Sequence, residues 1–283
     1  MLTRTIPSTG EAMPVIGVGT WQTFDIGNDT AALPARADVL KTLFDAGGRM
    51  VDSSPMYASS EANVGRALKL LSTGDAKIRD KVFLATKVWT SGERQGIRQM
   101  EESARLMGAA GDKQMLDLMQ IHNLVDWRTH MKTLRAWKEQ GRFRYIGITH
   151  YTSSALDDLA SVIAAEKIDF VQFAYSIDVR DAERRFLPFC ADKGVATIIN
   201  RPFGSGSLFS RARTRALPGF AGELGISSWA QYFLKYILGH PAVTVAIPGT
   251  GKPEHARDNV RAGLGPMPDE ATRRQMSDFW QTG

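Results

Sequence analysis

Four side chains capable of acid–base work fall at or just beyond the ends of three consecutive apolar runs. Asp52 closes the second run, in VDSS, and Tyr57 lies five residues later. Lys87 nears the end of the third run, in LATKVW, and His122 ends the fourth, in LMQIHN. Singly, three of them have ordinary structural explanations. An Asp after a strand caps the next helix, a Tyr packs at a rim, and a His satisfies a local hydrogen bond. Lys87 is harder to explain that way. It follows VFLAT, and a lysine turned inward there is costly to desolvate without a partner. Asp52 on the adjacent run is the candidate partner. A phenol titrates near pKa ~10, too high for efficient proton exchange at neutral pH. A neighbouring ammonium stabilises the phenolate and lowers that value. A carboxylate keeps the amine placed and charged, and an imidazole beside the phenol can hydrogen-bond a carbonyl oxygen. Together they make a proton donor facing a carbonyl, which a bound hydride donor would complete at carbon. A Schiff base on Lys87, as in a barrel aldolase or isomerase, is the rival chemistry. Pairing with Asp52 argues against it, because a charged amine is a poor nucleophile.

The elements that must position these groups alternate along the chain. Strand-like runs are Pro14–Trp21, Met50–Ser53, Val82–Val88, Leu116–His122, Tyr145–Thr149, Phe170–Ala174, Ala196–Asn200 and Thr244–Pro248. Helix-like stretches lie between them: Ala35–Ala46, Glu61–Leu71, Arg94–Gly108, Trp127–Gln140, Ser154–Ala164, Ala182–Lys193 and Ile226–Leu238. Pro253–Ala262 supplies an eighth and Asp269–Trp280 an extra one. Gly47, Gly141 and Gly194 stop helices, where glycine accepts a left-handed backbone. Runs such as VFLAT and ATII lack polar alternation, as parallel strands buried on both faces do. Strict alternation of eight units predicts α/β architecture, a TIM (β/α)8 barrel with an additional C-terminal helix. Residues before Pro14 are expected to cap the barrel bottom, and the whole chain, 1–283, is read as one barrel domain. Residues 23–33 and 201–222 are the long connections on the face where barrels build ligand sites.

Across essentially its whole length the sequence resembles the aldo-keto reductases. The matching segments are GVGTW, VDSSPMYASSEANVGRAL, TKVW, QIHN, YIGITHY, VQFAYS, NRPFGSGSLF and IPGTGKPEHARDNV, in that order. The resemblance implies an NAD(P)H-dependent reductase of carbonyl compounds. It assigns Tyr57 as general acid, Lys87 and Asp52 as the pair that tunes it, and His122 as the group orienting the carbonyl. For the cofactor it points to Gly19, Thr20, Trp21 and Asp52 near the nicotinamide ribose, and to Thr149, His150 and Gln172 at the carboxamide. Thr149 and His150 replace a usual Ser-Asn pair. Asn200 stands where many members stack an aromatic ring on the nicotinamide.

No Gly-x-Gly-x-x-Gly follows a strand and opens a helix, so a Rossmann module is not expected. Instead FGSGSLFSR follows the seventh strand, where barrels often bind phosphate. Pro202, Gly204, Ser205, Gly206 and Leu208 are the candidates there. A flexible Gly-Ser surface loop is the plainer alternative. At the adenosine end the resemblance points to Gly249, Thr250, Lys252, His255, Asp258 and Asn259. Gly249 and His255 occupy places where NADPH-preferring members carry Lys and Arg, a departure from that pattern; Thr250 keeps a hydroxyl for a 2′-phosphate and Lys252 or Arg257 supplies charge, and on these NADP is favoured over NAD. A solvated helix start would account for those two cations equally. Trp21, Trp89 and Phe24 form a candidate aromatic wall, with Tyr57 and His122 completing the substrate side. The segment after Ala262 is short, which suggests a small or open pocket for aldehydes, α-dicarbonyls or sugar-like carbonyls.

Composition narrows the remaining classes. Hydrophobic residues make up 43% and charged residues 23% of 283 residues, which excludes wholesale disorder. No apolar run approaches the roughly 18 residues that span a bilayer. The net charge of +5 comes from interspersed signs, without a nucleic-acid recognition module. Cys190 is the sole cysteine, so no internal disulfide forms, and it reads as packing. The five histidines show no metal-ligand spacing, and no Gly-x-Ser-x-Gly elbow suggests a serine hydrolase. The amino-terminal MLTRTIPSTGE lacks an apolar signal region, which favours a cytoplasmic protein; a processed secreted form would look the same. Relatives of this fold also serve as cofactor-sensing channel subunits, so an NADP-binding sensor with little turnover is the rival from another class. The oligomeric state is not readable.

Overall fold

The structure is a computed structural model that describes residues 1–109 and 116–282. The apolar runs become strands because each is buried on both faces. Every residue of β5 (Phe83–Val88) and β6 (Leu116–Ile121) is buried, which is why neither shows polar alternation. With β3 (Val18–Gly19), β4 (Met50–Asp52), β7 (Phe143–Thr149), β8 (Phe170–Ala174), β9 (Ala196–Asn200) and β10 (Val245–Ala246), they form one parallel sheet. Its order follows the chain from β3 to β10. Isolated bridges from Ile16 to Ala246 and from Gly19 to Gly249 join the first strand to the last. That closes the sheet into the expected TIM barrel.

The middle strands run close to their expected bounds, and β8 and β9 match them. The seam strands β3 and β10 shrink to two residues each. At this seam the backbones approach closely: a Cβ on Gly19 would meet the Ile247 carbonyl oxygen at 2.8 Å. A second difference lies in the expected Ala182–Lys193 helix, which breaks into Asp181–Arg184 and Phe186–Asp192. Pro188 explains the break. Its ring excludes a continuous helix past the carbonyl four residues back, that of Arg184. Gly47, Gly141 and Gly194 end their helices with φ of 83°, 74° and 65°.

The barrel's two ends are finished differently. At the amino-terminal ends of the strands, β1 (Thr3–Thr5) and β2 (Ala12–Pro14) form an antiparallel hairpin. Ile6 and Met13, both fully buried, join Phe83, Leu118, Tyr145, Phe170 and Val245 in the barrel interior. Tyr145 donates from below to Glu11 at 2.6 Å, and Arg49 and Arg144 pair with the same carboxylate. The expected cap is therefore a plug. The extra helix, Glu270–Thr282, lies elsewhere, over the helix Trp229–Leu238. Trp280 packs edge-on to Phe233 at 4.9 Å, and Tyr232 donates to the Met276 carbonyl at 2.8 Å. The carboxyl-terminal ends of the strands remain as the open rim.

Candidate active site

Strand register sets the polar centre. Asp52 at the end of β4 lies beside Gly19 of β3 and Ala85 of β5. One position farther up β5 than Thr86, Lys87 pairs with Gln120 of β6. Fully buried, Lys87 Nζ donates to Asp52 Oδ2 at 2.6 Å and to the Ser53 carbonyl at 2.7 Å. Asp52 Oδ1 accepts from Gln120 Nε2 at 3.1 Å and Gln172 Nε2 at 3.0 Å. Both carboxylate oxygens are thus engaged, which a buried ion pair requires. Burial pulls the Lys87 ammonium down, but the charges and hydrogen bonds of Asp52 and Tyr57 raise it above the ordinary lysine value overall. Gln120 was not foreseen. A glutamine inside the apolar run LMQI is the signal that marked it.

Tyr57 is delivered by a β-turn. Its N–H donates to the Ser54 carbonyl at 2.9 Å, with Pro55 in the position whose φ that turn favours. Lys87 uses two of its three donors below, and the Tyr57 ring centroid stands 4.9 Å from Nζ. The ring meets the His122 ring edge-on at 5.7 Å. The expectation that the ammonium lowers the phenol's pKa holds only as one contribution. Burial outweighs Lys87, Asp52 adds to burial, and the phenol lies above its ordinary value overall.

His122 follows directly on β6, with Trp89 at 6.4 Å between ring centroids. Burial, then the Lys87 charge, push its pKa down to about 3, so the imidazole is neutral. Its Nδ1 lies 2.9 Å from Ser54 Oγ. That oxygen already accepts from the Met56 N–H at 3.2 Å. With the ring proton on Nε2, Nδ1 is the acceptor for the Ser54 hydroxyl hydrogen, the tautomer that gives both groups a partner. Ser54, too, was not singled out in the sequence.

A cavity of about 680 Å³ opens above these groups. Of the expected residues, Gly19, Thr20, Trp21, Asp52, Tyr57, Trp89, His122, Thr149, His150, Gln172, Asn200, Pro202, Ser205, Gly206 and Gly249 line it. Lys87 lies beneath. Leu208 is buried in the core, and so is Phe24, which leaves the aromatic wall to Trp21 and Trp89. Gly204, Thr250, Lys252, His255, Asp258 and Asn259 lie outside the lining. Thr250 Oγ1 accepts from the Lys252 N–H at 3.1 Å. Asp258 accepts from Ser228 Oγ at 2.6 Å and Gln231 Nε2 at 2.5 Å, and Asn259 is buried. Lys252 and His255 are exposed. Arg201, Tyr151, Phe203 and Phe209 line the cavity unforeseen.

Two observations fit a nicotinamide dinucleotide. Among the described residues, buried Asn123 Oδ1 and Asn200 Oδ1 have no partner, and both residues line the cavity, offering acceptors for a carboxamide. Along the segment after β9, Gly204, Ser205 and Gly206 have φ of 56°, 57° and 95°; the Gly204 and Gly206 amides close turns onto the Arg201 and Phe203 carbonyls, and the exposed Ser205 hydroxyl is the donor offered to an anion at the cavity. The strain is also localised. Among the described residues, all non-glycine residues with positive φ (Gln22, Ala58, Asn123, Leu124, Asp126, Arg201 and Ser205) lie in the segments that follow β3, β4, β6 and β9 at the open rim. Such conformations cost of order 1–3 kcal/mol each and cluster at functional sites. No group of three or more metal-ligating side chains occurs among the described residues, nor any helix long and apolar enough to cross a membrane.

Comparison with known proteins agrees with this geometry. Methylglyoxal reductase YeaE of Escherichia coli is 26% identical over 88% of this chain and 85% of its own length. Aldehyde reductase YPR1 of Saccharomyces cerevisiae is 21% identical over 71% and 68%. The crystal structure of an aldo-keto reductase from Klebsiella pneumoniae in complex with NADPH superposes with a TM-score of 0.80. That match is at 22% identity and covers 99% of this chain and 96% of the other. The model of the Aldo/keto reductase family matches residues 15–274, and the chain accordingly belongs to that family of NAD(P)H-dependent carbonyl reductases.

Proposed function

We propose that this protein reduces small aldehydes or ketones to alcohols, with NADPH favoured over NADH. A bound nicotinamide supplies hydride to the carbonyl carbon. Tyr57 donates the proton to the carbonyl oxygen. Lys87, held by Asp52 beneath the phenol, stabilises the phenolate that remains, and this countercharge matters more because burial has raised the phenol. The neutral His122 offers its Nε2–H to the same oxygen and fixes which face of the carbonyl is presented. Asn123, Thr149, His150 and Asn200 would hold the carboxamide, and the 204–206 loop the pyrophosphate. NADP preference is supported by the basic character of the 249–257 segment and by the NADPH complex of the Klebsiella protein.

The observation that carries the reading is the fully buried Lys87–Asp52 pair directly under Tyr57 and His122. Its test is consumption of NADPH and, in parallel, NADH with methylglyoxal and a panel of small aldehydes. Turnover by the wild type, with a loss of about 10²–10⁴-fold in Tyr57→Phe and little change in NADPH binding, is expected. Tight NADPH binding without consumption would make the protein a sensor instead. Undiminished turnover in Tyr57→Phe would remove that residue as the acid.

A further inference from the structure

Arg201 is the one cationic side chain among the residues lining the cavity. The other formally charged residue there, Asp52, is neutralised by Lys87. Among the described residues, Arg201 makes no side-chain hydrogen bond and no ion pair. It is held by rings instead. Its guanidinium carbon lies 4.3 Å from the Tyr151 ring centroid and 5.7 Å from that of Trp21. Both rings are about two-fifths exposed at the mouth. An exposed arginine flanked by rings in this way keeps its N–H edges for a planar oxyanion. Its own backbone is left-handed, with φ 49°, directly before Pro202. A non-glycine residue is strained there, and the strained step is the one that turns this side chain over the mouth. The position is on the reacting side, since the Arg201 charge is felt at the Tyr57 phenol.

We propose that Arg201 binds a carboxylate on the carbonyl substrate, so that this site is directed to small aldehydes or ketones bearing an anionic group. The assignment rests on the reductase reading of the cavity. A carboxylate in a bidentate contact with the guanidinium anchors the substrate at the mouth, and the carbonyl then reaches toward Tyr57 and His122. A neutral analogue lacks that anchor and binds through Trp21 and Trp89 alone.

The test compares para-formylbenzoate with its neutral analogue para-tolualdehyde in wild type, Arg201→Met and Arg201→Lys. Wild type should favour formylbenzoate. Arg201→Met should raise its KM by about tenfold or more, the range of a charge-assisted contact, while kcat/KM for tolualdehyde and the Kd of NADPH stay within about twofold. Arg201→Lys should recover part of the loss. Equal losses on both aldehydes with weakened NADPH binding would assign Arg201 to the dinucleotide phosphates and overturn the proposal. Unchanged kinetics on both would overturn it as well. If wild type reduces neither aldehyde, the reductase reading fails separately. Quenching of tryptophan emission by formylbenzoate then decides: weaker binding in Arg201→Met supports the anion site, and equal binding ends it.

Discussion

On the side of the mouth built by β4, β5 and β6, polar atoms sit on strands or within two residues of their ends, are buried, and are held twice over. Lys87 has Asp52 and the Ser53 carbonyl, Asp52 has Gln120 and Gln172, and the Ser54 hydroxyl lies between the Met56 amide and His122. On the side built by the segments after β9 and β10, the polar groups sit on loops and at a helix start. Ser205, Gly206, Gly249, Lys252 and His255 are all exposed. The first side has the fixed geometry that proton transfer demands, because displacements of ~1 Å there can cost about 10²-fold in rate. The second offers exposed hydroxyl and cationic groups, enough to hold a long charged ligand but tolerant of change.

Several substitutions would sharpen or erase that contrast. The largest effect is expected from Lys87→Met. It strands Asp52 in the interior, so stability should fall by about 3–5 kcal/mol in urea titrations, and carbonyl reduction should be lost with it. A variant of normal stability would show that the strand-borne side is not held by this pair. Ser54→Ala comes next. Turnover should drop about tenfold with KM nearly unchanged, and nitrogen NMR shifts of His122 should show the proton no longer confined to Nε2. If tautomer and turnover both stay, Ser54 has no positioning role. On the opposite side, Lys252→Ala should weaken NADPH by less than about tenfold and leave NADH unaffected, since an exposed cation contributes modestly. A larger loss would show that this side is as rigidly engaged as the other.

The smallest change is expected from pH. The His122 pKa is depressed, from 6.5 to about 3, so the fold favours the neutral ring. Its contribution to stability is complete above about pH 6.5 and is lost as pH falls toward 3. The rate should therefore show no inflection from His122 between about pH 5 and 8, and its ring resonances should stay those of neutral imidazole. A midpoint near 6.5 would mean that water reaches the ring.

Asp52, Lys87 and His122 were legible because polar residues at the ends of apolar runs stand out by the cost of burying them. Most of the barrel was legible for a related reason: glycine stops and unbroken apolar runs carry their own physics. Other features depend on what surrounds a residue. Gln120 and Ser54 act through partners 68 residues away in each case; the run LMQI marks Gln120 as costly to bury, but no local pattern names its partner or singles out Ser54. The raised Tyr57 phenol reflects how much water its neighbours exclude, which spacing does not encode. Arg201 looked like one more surface cation until Trp21 and Tyr151 were seen to flank it. The helix break at Pro188 was the exception, since proline was there to be read.

The amino-terminal plug has a consequence for biosynthesis. Arg4 holds the carbonyls of Leu238 and His240 at 2.8 and 3.0 Å, and the Leu2 amide bonds the Gly263 carbonyl at 2.8 Å. Arg4 and its partners are separated by 234 and 236 residues of chain. The hairpin gains its contacts to Arg49, Arg144 and Tyr145 before these last ones, and the barrel's floor is completed only after the segment that reaches Gly263 has been made.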